Sequence, residues 1–231
     1  MRKAGENMKL IILGLLLTIN IPVSYGRSVD GDFVISRVTK ANNKLDSYLM
    51  GREIALTLVL LPELGNELKV TINEDDKSLN AFATFDDQSN PLIIVNRGLL
   101  DHEEMTKELL DLFLCHEMGH LSGGDPKLVR RNGKLSWSSV EGQADYFATQ
   151  ICMDFLGYSE EQILHQSITF ASLIAKLKGH SKLPKIDTPE SYNVSRTLQT
   201  HPTPQCRLDT LVAGLRSKPR PHCWFNPMEL D

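Results

Sequence analysis

The sequence lacks the features that mark several classes of protein. The longest apolar run is residues 10–21, and a helix of that length is too short to cross about 30 Å of hydrocarbon. No repeat recurs at a fixed period, and the 15 glycines and 11 prolines are scattered rather than gathered in a linker. Basic residues are not in excess: the net charge is −4, without the basic footprint of a nucleic-acid-binding protein. A chain of 231 residues with 41% hydrophobic and 23% charged residues is instead typical of one substantial globular domain or two small ones.

The first 26 residues have the layout of a secretory signal peptide. Arg2, Lys3 and Lys9 precede the apolar run, Pro22 ends it, and small residues follow up to Gly26. We expect cleavage near Gly26, a single domain over residues 27–231, and a periplasmic or secreted location. An uncleaved anchor is the alternative, and after cleavage we expect no stable membrane span.

Four cysteines in an exported chain indicate disulfide formation. Cys206 and Cys223 flank a proline-containing segment, and a bridge between them would tether the C-terminus. Cys115 lies in a very apolar run and is interpreted as a buried thiol. A Cys115–Cys152 bridge is the less favoured alternative, because Cys152 lies eleven residues beyond Glu141, about 16 Å along a helix.

The apolar pattern predicts helices around a small sheet. Residues 33–61 look helical in two pieces, with core positions at Leu45, Leu49, Ile54, Leu58 and Leu61. Strands are predicted at residues 69–73, 79–85 and 91–96, the last two as a hairpin. Further helices are predicted from an Asp101–Glu104 capping box, from Ser138 or Ser139 to Leu156, from Ser159 with Gln162, and from Pro202 through Leu215. Residues 179–200 look irregular.

The helix predicted from the Asp101–Glu104 capping box contains His116-Glu117-Met118-Gly119-His120, a His-Glu-x-x-His motif. Residues four apart share one helix face, so His116 and His120 can bind one metal ion. Zinc lowers the pKa of a bound water to about 7, and Glu117 is placed to accept its proton as general base. The alternative without function is that these side chains lie on an exposed helix face. However, the preceding residues Leu112 to Cys115 are apolar, which indicates a buried helix, and burying two imidazoles and a carboxyl without partners costs several kcal/mol.

A third metal ligand is needed to complete a hydrolytic site with one open position. In the metzincin spacing the ligand position falls on Pro126, which cannot bind metal. Glu141 and Asp145 lie four apart on the following predicted helix. Glu141 is the expected ligand, and Asp145 would accept a hydrogen bond from the non-ligating nitrogen of a zinc histidine. Gly142 and Ala144 would let the two helices approach closely.

These motifs resemble the gluzincin metallopeptidases of the HtpX and CAAX prenyl protease type, including their soluble periplasmic BepA-like relatives. The resemblance spans residues 79–211 and also rests on three further segments: Asn80-Ala81-Phe82-Ala83, Gly98-Leu99-Leu100, and Thr200-His201-Pro202 followed by Arg207. It implies an α+β, mainly helical zincin domain with a small antiparallel sheet beside the metal helix and one Zn²⁺ per chain. It also implies that His201 and Arg207 lie at the active site and help to hold substrate or an oxyanion. We expect neither the transmembrane helices of the HtpX type nor the helical repeats of the BepA type, so the chain resembles a bare catalytic core.

A polypeptide substrate has a physical route to the site. The strand at residues 79–85, with Asn80 to Ala83, would lie at a sheet edge and pair with an extended peptide. The basic loop from Lys127 to Lys134 is interpreted as solvated surface rather than as a gate. His102, His165, His180 and His222 receive no role.

The sequence therefore predicts an exported zinc metalloendopeptidase of unknown oligomeric state. Two alternatives stay open: a zinc-bound chaperone or assembly factor that does not cleave, and an exported peptide-binding protein with an empty site.

Overall fold

The computed structural model describes residues 44–64 and 67–229. The predicted signal peptide, the domain start at residue 27 and the helical piece before residue 44 lie outside the described residues. Among the helices that are described, none is both long and apolar enough to cross a membrane.

Seven α-helices and five strands can be placed in this part of the chain. The helices are α1 (Lys44–Leu64), α2 (Arg97–Leu100), α3 (Lys107–Ser122), α4 (Glu141–Phe147), α5 (Met153–Phe155), α6 (Glu160–Leu177) and α7 (Pro204–Leu215). The strands are β1 (Lys69–Asn73), β2 (Ala81–Phe85), β3 (Pro91–Asn96), β4 (Lys127–Val129) and β5 (Leu135–Ser139). A π-helical turn (Ala148–Cys152) joins α4 to α5, and a 3₁₀ turn (Pro227–Glu229) lies near the end. The α+β, mainly helical class is confirmed.

Helix α3 is the centre of the fold, and every residue from Leu109 to Ser122 is buried. It begins later than predicted, because Thr106 rather than Asp101 caps it: the Thr106 side chain accepts a hydrogen bond from the Leu109 N–H. Asp101 instead ends the short helix α2, where its N–H donates to Arg97 O at 3.0 Å. The predicted capping box was therefore wrong, and the helix ends at Ser122 with Gly123 as its C-cap residue.

The sheet beside α3 has the strand order β1-β3-β2. Strands β2 and β3 form the predicted antiparallel hairpin, whereas β1 pairs with β3 in parallel. The sheet is therefore mixed rather than purely antiparallel, because β1 and β3 are neighbours in the sheet but are not consecutive in the chain, so no hairpin joins them. The predicted basic loop is a second hairpin, in which β4 pairs with β5. Strand β2 is an edge strand among the described residues, which is the position predicted for the substrate strand.

Helix α4 follows β5 directly and returns along α3. Val140 is its N-cap residue, and Ser139 does not cap it because the Ser139 hydroxyl donates to Gly124 O at 2.7 Å. Ala144 packs on Gly119 of α3 so closely that a Cβ on Gly119 would lie 2.6 Å from Ala144 Cα. The predicted close approach through Ala144 is confirmed, but Gly142 packs against the indole of Trp224 instead.

Two disulfides are present, Cys115–Cys152 and Cys206–Cys223. The second was predicted; the first was judged less favourable, and that judgement was wrong. The prediction counted the distance to Cys152 along the helix from Glu141, but α4 contacts α3 at Ala144. From there the chain runs back along α3 towards Cys115, and the π-helical turn brings Cys152 beside it.

The outer helices follow the predicted stripes with some exceptions. Leu45 and Leu49 of α1 are buried, but Ile54 and Leu58 are exposed; Leu56 takes the next core position. Ser159 and Gln162 form the predicted capping box of α6. Thr203 caps α7, which begins at Pro204, two residues after the predicted Pro202.

Candidate metal centre

The histidines of the motif and Glu141 converge as their spacing predicts. The Nε2 atoms of His116 and His120 lie 3.3 Å and 3.7 Å from oxygens of Glu141. One potential ligand atom from each of the three side chains lies within 4.8 Å of the others. Helix α3 supplies both imidazoles from one face, and the first turn of α4 supplies the carboxylate.

The opposite ring nitrogen of each histidine is already engaged. His116 Nδ1 lies 2.8 Å from the Asp145 carboxylate, which agrees with the predicted orienting role of Asp145. His120 Nδ1 lies 2.9 Å from the backbone oxygen of Ser139. Both acceptors favour a proton on Nδ1, so Nε2 is the nitrogen that would bind a metal ion once it has lost its own proton. The sequence could not indicate Ser139, because its contribution comes from a backbone carbonyl that every residue has.

Arg207 joins the site through Asp145. Its guanidinium binds the carboxylate through two hydrogen bonds of 2.7 Å and 2.6 Å and lies 4.8 Å over the ring of Phe170. Asp145 and Arg207 are both buried. Arg207 therefore holds the residue that orients His116, and its predicted contact with substrate or an oxyanion stays a prediction.

The charges favour a cation between the carboxylates. Burial opposes a charged ring, yet Asp145 and Glu141 outweigh it and raise the pKa of His116 to about 10. Burial and the neighbouring His116 lower the pKa of His120 to about 4. Burial would raise the pKa of Glu141, but the two imidazoles hold it below its usual value. The site thus contains ionised carboxylates that attract one positive charge.

A divalent metal ion fits this donor set. Glu141 Oε2 is buried and makes no hydrogen bond within the described part of the chain, although His116 Nε2 lies only 3.3 Å away. A buried carboxylate oxygen without a partner is costly, and a metal ion would satisfy it. Two imidazoles and one carboxylate form a ligand set that zinc accepts while one position stays open.

Glu117 lies beside the ligands and is also buried. Burial and the neighbouring Glu141 raise the pKa of Glu117 to about 7, while the N–H of Ala83 in β2 stabilises its charge in part. A carboxyl group with a pKa near neutrality can both accept and return a proton.

These groups lie at the bottom of a cleft of about 520 Å³. One wall is formed by residues 79–83, which lead into and begin β2. His201 lies at the rim, and its Nε2 is 3.3 Å from Glu141 Oε2. Partial burial lowers the pKa of His201, although the nearby Glu141 acts in the opposite direction. Nothing in the sequence indicated the lining residues of β5, of α6 and of its C-cap, which are Ser136, Trp137, Ser138, Phe170, Leu173, Ile174, Leu177 and Lys178.

Residues 50–132 match the family model described as Peptidase family M48. This match includes the whole His-Glu-x-x-His motif. Curated relatives are similar as well: "Protease HtpX homolog" proteins of Neisseria meningitidis serogroup B and Neisseria gonorrhoeae are each 29% identical to this chain. The comparisons support the HtpX-type M48 metallopeptidase family for this chain. Each HtpX alignment covers 60% of this chain and 62% of the relative, so the chain matches about three-fifths of their length. No solved structure matches the chain.

The M48 match ends before Glu141, so the third ligand rests on the geometry alone. That geometry agrees with the residues on which the HtpX resemblance was based: Glu141 faces the two histidines, Asp145 holds His116, and His201 lies at the rim. In the second quoted segment, Gly98 is packed against the backbone of Lys77 and Ser78, whereas Leu99 lines the cleft.

Proposed function

We propose that this chain is an exported, zinc-dependent metalloendopeptidase that hydrolyses polypeptides. The observation that carries the proposal is the convergence of His116, His120 and Glu141 beside Glu117, at the bottom of a cleft bordered by a free strand edge. The M48 match and the HtpX relatives agree with this class of activity.

Zinc is the metal that this donor set favours. His116 and His120 would hold it through Nε2, because Asp145 and the Ser139 carbonyl engage Nδ1, and Glu141 would bind it through its carboxylate. When bound, zinc supplies Lewis-acid chemistry, lowering the pKa of water and polarising a carbonyl.

Glu117 is proposed as the general base. Its pKa of about 7 places it near the midpoint of titration at neutral pH, where the carboxylate can take a proton from water and return it to the leaving amine. Because Ala83 N–H donates to the same carboxylate, Glu117 is also tied to the strand beside which a peptide would lie.

His201 is proposed as a hydrogen-bond donor to the oxyanion, and Arg207 as the residue that holds Asp145 in place. The His201 ring lies at the cleft rim, where its N–H can reach a substrate carbonyl. Arg207 stabilises the negative charge of Asp145 and thereby the orientation of His116.

The substrate is proposed to bind as an added strand on β2. Asn96 N–H donates to Asn80 O, and Asp86 N–H donates to Asn90 O. Hydrogen-bonded pairs alternate along an antiparallel ladder, so the intervening Ala81 and Ala83 direct their N–H and C=O groups away from β3. Ala81 and Ala83 line the cleft, and apart from the Ala83 N–H, which donates to Glu117, their outward groups match the main chain of an extended peptide.

Export is proposed from the N-terminal pattern and agrees with both disulfides. Cys115–Cys152 and Cys206–Cys223 account for all four cysteines, and disulfides persist in oxidising compartments such as the periplasm.

Digestion of casein or a quenched fluorescent peptide by the purified zinc-loaded chain tests the proposal, with Glu117→Gln as the paired variant. We expect cleavage by the wild type and a loss of about 10²-fold or more in Glu117→Gln, with zinc content unchanged. Zinc binding without cleavage would support the non-proteolytic alternative. A Glu117→Gln variant with near-full activity would show that Glu117 is not the base.

A further inference from the structure

The cleft has a second wall that the proposed function does not use. Residues 136–138 of β5 line it, and Trp137 among them is 37% exposed. The chain contains two tryptophans, and the other, Trp224, is fully buried. An exposed tryptophan that lines a cleft is a candidate contact for a ligand side chain.

The pairing of β5 with β4 is irregular where Trp137 lies. Lys127 pairs with Ser139 and Val129 with Leu135, so residues 136–138 of β5 oppose the single residue Leu128. Bulges of this kind redirect side chains and occur next to active sites. In this structure the bulged segment lies in the cleft wall, and its end at Ser139 holds His120.

Trp137 also reaches the substrate strand. Its ring meets that of Phe85 edge-on, with centroids 5.1 Å apart. Phe85 lies two residues beyond Ala83, whose N–H donates to Glu117. Two residues of a strand span about 7 Å. A peptide lying along β2 with its scissile bond at Glu117 therefore brings the side chain two residues away to Trp137.

We propose that Trp137 is a specificity-determining residue that contacts an apolar side chain of the substrate, two residues from the scissile bond. This inference rests on the proposed peptidase function and on peptide binding along β2. The occupant is an extended polypeptide, because the outward N–H and C=O of Ala81 and the C=O of Ala83 match another main chain, and because β2, an edge strand, lines the same cleft as the metal-site residues.

The test compares quenched peptides that differ only in carrying phenylalanine or alanine two residues before or after the cleaved bond. The wild type should prefer phenylalanine at one of these positions by about tenfold or more in kcat/KM, expressed mainly in KM. Trp137→Ala should reduce that preference to about twofold or less, and Trp137→Phe should keep most of it. Leu135→Ala is the matched control, because Leu135 lies on the same strand, is 64% exposed and does not line the cleft.

A binding measurement separates this inference from the proposed activity. In Glu117→Gln, the phenylalanine peptide should shift the tryptophan emission, and the shift should vanish in Glu117→Gln/Trp137→Phe, since Trp224 is buried away from solvent. Cleavage with a preference that Trp137→Ala leaves intact would overturn the role of Trp137 but not the peptidase. A peptide-dependent shift without cleavage by the wild type would overturn the peptidase and support the contact.

Discussion

Replacing Asp145 by asparagine should weaken the metal centre and destabilise the fold at the same time. The Asp145 carboxylate accepts two hydrogen bonds from Arg207, and one of its oxygens lies 2.8 Å from His116 Nδ1. The amide would place an NH₂ group against a donor and leave the buried guanidinium without its counter-charge. Breaking a buried pair costs about 3–5 kcal/mol, and losing the group that orients a metal-binding histidine lowers metal affinity by about 10–100-fold.

Two measurements separate these effects. Urea unfolding of the metal-free protein, with disulfides intact, gives the loss of unfolding free energy, and competition with a zinc chelator gives the affinity. Asp154→Asn is the control, because it is the same substitution at an exposed position of α5. If Asp145→Asn kept wild-type zinc affinity, the orienting role of Asp145 would be refuted; if it unfolded like Asp154→Asn, the buried pair would be unimportant for stability.

Two further variants test the helix contact and the rim. Gly119→Ala should reduce zinc affinity, because the new methyl group would lie 2.6 Å from the backbone of Ala144 and push α4 away; Gly51→Ala, which meets nothing within 4 Å, should instead stabilise α1 by about 0.5–1 kcal/mol in thermal unfolding. Equal zinc affinity in the two variants would contradict the close contact. His201→Ala should lower kcat by about 10²–10³-fold at unchanged zinc content. Loss of zinc in that variant would make His201 a ligand, and a normal rate would remove it from the site.

The metal centre was predictable because its information is local. His116 and His120 lie one helical turn apart, as do Glu141 and Asp145, and a helix places such pairs on one face whatever surrounds it. For α3 and α4 to approach closely, a small residue was then needed at their contact, and Gly119 provides it. The sequence offered this signal as Gly142 and Ala144, and the structure shows that Ala144 alone makes the contact.

Features that depend on the path of the chain were not predictable in the same way. The Cys115–Cys152 bridge depends on the antiparallel return of the chain along α3, and Cys152 lies at the end of a π-helical turn; neither feature leaves a local pattern. Asp101 had the residue type of a cap, but the backbone there already belonged to the end of α2, so Thr106 took the role. Trp137 was missed because a bulge, rather than strand alternation, decides which way that segment faces.

The zinc content of the purified wild-type chain tests the central claim most directly. After gel filtration in buffer without chelator, elemental analysis should find about one zinc ion per chain, since His116, His120 and Glu141 form one three-ligand site. His116→Ala purified in parallel should retain little or none. A wild-type chain without transition metal, or a His116→Ala chain with as much zinc as the wild type, would contradict the account.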